Sequence, residues 1–225
     1  MPAEGTAARE TPELKVRVWG MGANDQPFFQ NAVAQNISLT GACLHGIETA
    51  LKTGDVIGVQ FESRKARCRV TSVTKAGTLT QNQIAVELVR DQVCPWGEHV
   101  PVGAHSEEWA AKHASERRRY ARHKISVPLE LRVGNASAPI RANVADISGG
   151  GCYVESAMPL PVGTPVQVSF WIGDERVSPS AVVRTRDPGV GMGIEFTGLP
   201  EDARKSLQAH FDQVDPGSRR FKSTR

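Results

Sequence analysis

Apolar and polar residues alternate in short runs along most of this chain. Clear cases are Leu14-Lys-Val-Arg-Val18, Val56-Ile-Gly-Val-Gln-Phe61, Leu129-Glu-Leu-Arg-Val133 and Val166-Gln-Val-Ser-Phe170. A period of two places one set of side chains on one face of a strand. Gly, Pro, Asn and Asp separate the runs and supply the turns. One segment breaks the pattern. Between Pro200 and Val214, the apolar positions Ala203, Leu207, Phe211 and Val214 fall at helical spacing, which predicts a helix packing one face on a β core.

The strand pattern occurs twice. Ile37-Ser-Leu-Thr-Gly41 and Leu51-Lys-Thr-Gly-Asp-Val-Ile-Gly-Val-Gln-Phe61 are echoed by Ile147-Ser-Gly-Gly-Gly151 and Leu160-Pro-Val-Gly-Thr-Pro-Val-Gln-Val-Ser-Phe170. Gly41 matches Gly151, Gly54 matches Gly163, and Phe61 matches Phe170. Ile84-Ala-Val-Glu-Leu88 matches Met192-Gly-Ile-Glu-Phe196. The offset of about 110 residues is far longer than a solenoid unit of ~20 to 50, so these are two copies of one domain. Short strands in such number must close into a barrel or fold into a sandwich to protect their edges. The fold class expected is mainly β: two tandem small antiparallel β-barrels, a linker helix and a C-terminal helix. The expected boundaries are 1–100 for the first barrel, 101–116 for a helical linker, 117–214 for the second barrel and 215–225 for a flexible tail. The first strand of the second copy is expected at about 125–133, and the second reaches Val144.

A length of 225 residues accommodates two such domains. Hydrophobic residues at 40% and charged residues at 23% describe an ordinary folded protein, and the net charge of +3 excludes a polycation. No apolar stretch approaches the ~20 residues of a membrane span. The first ten residues lack the apolar core of a secretory signal, so the expected location is the cytoplasm. Cys43, Cys68, Cys94 and Cys152 form no CxxC pair. Cys43, Cys68 and Cys152 lie in strand-like runs, where buried reduced thiols are expected. The six histidines show no ligand spacing, so no metal is expected. Trp19, Trp96, Trp109 and Trp171 are expected to pack in cores or at the domain junction. No nucleophile elbow, P-loop or dinucleotide fingerprint is present, and no enzymatic activity is expected.

Charge becomes informative locally. Arg117, Arg118, Arg119, Arg122, His123 and Lys124 make one basic cluster, and within it Arg118-Arg-Tyr-Ala-Arg122 is an RxxxR pair. Downstream, Asp146-Ile-Ser-Gly-Gly-Gly151 is a DxSxxG turn. One hairpin between them would bring both to the same end of a barrel. A guanidinium fork matches phosphate oxygens and the O6/N7 edge of guanine, and its planar face stacks on a base. A carboxylate accepts the guanine N1–H and exocyclic amine. Glycine-rich turns present backbone N–H groups to phosphate. The same Asp and Ser also make a tight turn with local hydrogen bonds whatever the function. Asn36-Ile-Ser-Leu-Thr-Gly41 in the first copy has that turn with no RxxxR ahead of it.

Together, RxxxR and DxSxxG in this order, with Pro128, Leu160-Pro-Val-Gly163, Gly193-Ile-Glu-Phe196 and the terminal helix, resemble the PilZ family of cyclic di-GMP receptors. The resemblance spans nearly all of 117–214. It implies that Arg118 and Arg122 hold guanine and phosphate and that Asp146 reads guanine. Ser148, Gly150 and Gly151 complete the pocket, and Arg117 matches a frequent extra arginine. It implies a first copy that is degenerate, with Asn36 and Ser38 structural. The expected ligand is cyclic di-GMP, with no other cofactor, acting on a downstream protein the sequence does not name. Homodimerisation is left open. Two alternatives stand beside this reading. One is a protein-interaction adaptor without nucleotide binding. The other is a single-stranded nucleic-acid binder, which would interleave aromatics with basic residues. Tyr120 alone meets that requirement, which argues against nucleic acid.

Overall fold

The computed structural model describes residues 12–75, 82–89, 92–100, 120–134 and 138–215. The chain divides into two compact units, Met1–His113 and Ala114–Arg225. The expected linker helix, Arg117, Arg118, Trp109 and nearly all of the expected tail lie outside the described residues.

In the first unit the alternating runs become β1 (Leu14–Met21), β2 (Pro27–Gln35), β3 (Gly41–Ile47), β4 (Val56–Phe61), β5 (Arg64–Lys75) and β6 (Asn82–Leu88). They close into an antiparallel barrel in the order β1-β2-β3-β6-β5-β4. Closure comes from β4 returning to β1, with Val18 opposite Val59. The inward set Val16, Val18, Leu44, Ile57, Val59 and Ile84 is buried. Removing such side chains from water supplies the main drive for closure, roughly 1.5–3 kcal/mol each.

The second unit contains β7 (Pro128–Val133), β8 (Ile140–Ser148), β9 (Gly151–Glu155), β10 (Pro165–Ile172), β11 (Glu175–Val177), β12 (Ser180–Asp187), β13 (Gly191–Phe196) and helix α1 (Glu201–Val214). The sheet order is β11-β10-β12-β13-β9-β8-β7, and β10 also pairs with β7. One register runs unbroken from Ile172↔Glu175 and Phe170↔Val177 to Gln167↔Ser180 and Pro165↔Val182. β11 and β12 are therefore one strand interrupted near Pro179, which has no N–H to give the ladder. The closed ring then repeats the first barrel strand for strand.

Matched hydrogen bonds make the duplication concrete. Gly54 N–H donates to Val70 O at 2.8 Å, and Gly163 N–H donates to Val183 O at 2.8 Å. Both glycines have positive φ, at 98° and 87°, a conformation that glycine adopts at little cost. Leu88 N–H donates to Thr40 O at 2.6 Å, and Phe196 N–H donates to Gly150 O at 3.0 Å. The two barrels differ in what packs beside the Ser-x-x-Gly hairpin. In the first it is Trp96, fully buried, whose indole N–H donates to Ser38 O at 2.9 Å. In the second it is α1, with Leu207 and Phe211 in the core.

Several expectations need correction. β7 starts at Pro128 rather than near Ile125. The residues just before it touch β8 through the His123↔Ile147 bridge and the bond from Val144 N–H to Val127 O, 3.1 Å. The second strand does not stop at Val144. A register shift between Val144 and Asp146 lets pairing continue to Ser148↔Gly151, so Asp146 and Ser148 are strand residues and the turn itself is Gly149-Gly150. Trp171 is 61% exposed, because Val166, Val168 and Phe170 hold the inward parity of β10. The same parity in β3 leaves Cys43 half-buried, its Sγ accepting a bond from Gln83 Nε2 at 3.0 Å. Val214 is 55% exposed, since the last turn of α1 runs past the apolar cluster.

Candidate functional site

The irregularity in β8 shapes the site. Such a bulge bends a strand and re-aims a side chain, and here it is followed by Asp146, only 3% exposed. The short segment ahead of β7 brings Arg122 to it, with Arg122 Nη1 3.4 Å from Asp146 Oδ1. The guanidinium side chain is 33% exposed and the carboxylate side chain 5%. A buried carboxylate needs such a partner, because desolvation of an isolated charge costs several kcal/mol. The arginine side chain stays one-third exposed. The last arginine of RxxxR and the aspartate of DxSxxG therefore meet in an ion pair.

The hairpin beyond Asp146 is built by backbone demands. Ser148 Oγ accepts Gly150 N–H and donates to Gly151 O, both at 3.3 Å. A Cβ on Gly151 would lie 2.2 Å from Ile194 O, and one on Gly149 would lie 2.3 Å from Arg204 O, so β13 and α1 both press against glycine backbone. Gly150 faces the Tyr120 ring, whose hydroxyl donates to Glu201 Oε1 at 2.9 Å. The first barrel has the same hairpin. Ser38 Oγ accepts Gly41 N–H at 3.1 Å and donates to Gly41 O at 3.2 Å, and a Cβ on Gly41 would lie 2.1 Å from Val86 O. These roles of Ser148 and Gly151 thus belong to the barrel, whatever else the two residues touch. The contrast lies one step earlier. Asn36 is exposed with φ of 48°, whereas Asp146 is buried in a strand beside an arginine.

Of the expected site residues, Arg122 and Asp146 are brought into contact, and Ser148, Gly150 and Gly151 form the adjoining hairpin. Arg117 and Arg118 lie outside the described residues. Sequence reasoning set His123 in the basic cluster and did not foresee its burial. It is fully buried, with Nε2 2.8 Å from Asp212 Oδ1 and Nδ1 3.5 Å from Asp215 Oδ2. Gln208, which accepts Gly149 N–H at 2.9 Å, was missed. The available signal was the i, i+4 spacing of Gln208 and Asp212, on the helix expected to pack beside the glycines.

Among the described residues, the thiol beside Asp146 is not poised as a nucleophile. Burial pushes the neighbouring Cys152 thiol well above its usual range, Asp146 adds to the effect, and Arg122 opposes it. Among the described residues no cluster of His, Cys, Asp and Glu could hold a metal, and no helix is long and apolar enough to cross a membrane. A cleft of about 600 Å³ lies elsewhere, on the outer face of β7, β8 and β10, lined in part by Glu130, Arg141, Trp171 and Arg176. It contains none of the expected site residues. What the Arg122–Asp146 site can do is bind, offering one guanidinium and one carboxylate to a ligand with both an acceptor and a donor edge.

A sequence profile of the family described as "PilZ domain" matches residues 116–213. Those residues are a PilZ domain. No curated protein matches the chain. Among solved structures, the chain is similar to the Inhibitor of motility (MotI/DgrA) of Bacillus subtilis. The identity is 16% and the TM-score 0.40, covering 92% of this chain and 98% of that one. It is also similar to YcgR of Escherichia coli, solved in complex with c-di-GMP, at 15% identity and a TM-score of 0.42, covering 92% and 86%. MrkH of K. pneumonia, in its c-di-GMP complex, is similar at 12% identity and a TM-score of 0.45, covering 93% and 90%. All three likenesses are distant. The match to the family stops at the PilZ domain, and the first barrel shares its strand order.

Proposed function

We propose that this protein is a cyclic di-GMP receptor that binds the dinucleotide at its PilZ domain and changes its domain arrangement or partner contacts on binding. The observation that carries the reading is the ion pair of a half-open Arg122 with a buried Asp146, at the junction of the two family motifs. The ligand takes both partners. Guanine N1–H and its amine replace the guanidinium at Asp146. The freed Arg122 joins Arg117 and Arg118 on phosphate and on the guanine O6/N7 edge. Ser148, Gly150 and Gly151 border the pocket. The assigned domains are 1–100, a linker at 101–116 and 117–214. Residues 101–116 join the two domains, so a ligand held by Arg117 and Arg118 restrains that connection and biases the arrangement available to a protein partner. The first barrel, without an arginine pair, binds no nucleotide. A receptor for this messenger works in the cytoplasm.

Titration calorimetry of the full chain with cyclic di-GMP tests the reading. Binding is expected for the unaltered protein and none for an Arg118→Ala/Arg122→Ala double variant. Residual binding in that variant would place a second site elsewhere, including the first barrel. Small-angle scattering with and without ligand tests the change of arrangement. Competition by single-stranded oligonucleotides as strong as by the cyclic dinucleotide would favour the nucleic-acid reading instead.

A further inference from the structure

We propose that His123 is a positioning residue of this clamp, through which helix α1 sets the reach of Arg122; the inference rests on the receptor reading above. Its backbone is locked to the strand that carries Asp146. His123 N–H donates to Ile147 O at 2.8 Å, and Ile147 N–H returns a bond to His123 O at 3.0 Å. Ile147 is the residue between Asp146 and Ser148, so the residue that follows RxxxR is pinned inside DxSxxG.

The side chain goes the other way, into the helix. His123 Nε2 lies 2.8 Å from Asp212 Oδ1, which accepts its N–H when the proton is on Nε2, and 3.0 Å from the Gln208 amide nitrogen. Gln208 Oε1 accepts Gly149 N–H at 2.9 Å, which turns its amide NH₂ toward the same Asp212 Oδ1, also at 2.9 Å. One carboxylate oxygen therefore gathers two contacts, from His123 of the arginine segment and from Gln208, the helix residue that holds the glycine turn. Phe211 lies beneath the imidazole, with ring centroids 6.4 Å apart. An imidazole that only filled space would need no carboxylate, and its neighbour on the turn would need no glutamine. With both, α1 fixes the two motifs against each other, and Arg122 is one residue from the fixed point. Holding a binding group in its bound geometry lowers the ordering penalty of association.

Full-length His123→Leu, His123→Gln and Asp212→Ala proteins, titrated with cyclic di-GMP beside the wild type, test this. Leucine keeps apolar volume and loses the donor, while the glutamine amide carries an N–H toward the place of Nε2. His123→Leu and Asp212→Ala are expected to bind about tenfold more weakly, the equivalent of one charge-assisted bond. His123→Gln is expected within about threefold of wild type, a rescue that volume alone would not produce. Asp212 is 17% exposed, so its alanine variant keeps the question answerable if His123→Leu fails to fold. Wild-type binding with unchanged affinity in His123→Leu or Asp212→Ala would overturn the inference alone, as would equal losses in the leucine and glutamine variants. Absence of wild-type binding would overturn the receptor reading and this inference with it.

Discussion

Gly41 and Gly151 are the sharpest test of what the DxSxxG glycine is for, because the RxxxR pair precedes one barrel and not the other. A Cβ at Gly41 would stand 2.1 Å from Val86 O, and one at Gly151 would stand 2.2 Å from Ile194 O; real Cβ atoms essentially never come within 3.0 Å of such a neighbour. The carbonyl must retreat by nearly an ångström. Each obstacle is strand backbone beside a ladder partner, Glu87 opposite Gly41 and Glu195 opposite Gly151, so retreat means loosening the barrel. Overpacking costs typically 1–3 kcal/mol, and rigid backbone puts both sites near the upper end, about 3 kcal/mol. For a domain of about 100 residues that lowers the melting temperature by roughly 12–24 °C. The domain should still fold at low temperature, given stabilities of about 5–15 kcal/mol. Differential scanning calorimetry of the full-length Gly41→Ala and Gly151→Ala proteins measures both shifts. Similar losses are expected, with Gly41→Ala leaving cyclic di-GMP binding unchanged. A loss below about 1 kcal/mol at either position would refute the close-approach argument. A Gly151→Ala protein of full stability that no longer bound ligand would assign the glycine to the nucleotide instead.

Other expectations follow from the same geometry. Arg122→Ala and Arg118→Ala should each weaken binding roughly 10- to 100-fold, while Arg119→Ala should cost under about 1 kcal/mol, all read by calorimetry. Asp146→Asn should reduce affinity similarly and also discrimination for guanine over adenine, measured with the two cyclic dinucleotides. Affinity should fall only moderately with ionic strength, since a two-phosphate ligand lacks the steep salt slope of long strands. Cys152 is neutral in the fold while an unfolded thiol ionises near ~8.5. Its contribution to stability is therefore full below that pH and falls by up to about 1.4 kcal/mol per pH unit above it. Urea unfolding from pH 7 to 10 on wild type and Cys152→Ala isolates that slope.

Much of this architecture was already legible in one dimension. Period-two runs, the repeated Ser-x-x-Gly and Val-Gly or Thr-Gly signals, and the helical spacing of Leu207 and Phe211 depend on neighbours within a few residues. Local spacing therefore predicted two β domains, each a barrel or a sandwich, with a helix packed on the second, and the family resemblance implied the barrel. Parity even contained the exposure of Trp171 and Cys43, which hydrophobicity alone misassigned to the core. Tertiary structure decided what joins distant positions. Closure of β10 onto β7 and the burial of Asp146 beside Arg122 arise where segments apart in sequence meet. The contact of His123 with Asp212 spans 89 residues. Alternation tells which face a residue occupies; it does not tell which side chain waits opposite. That information exists only once the barrel closes and the helix settles on the glycine turn.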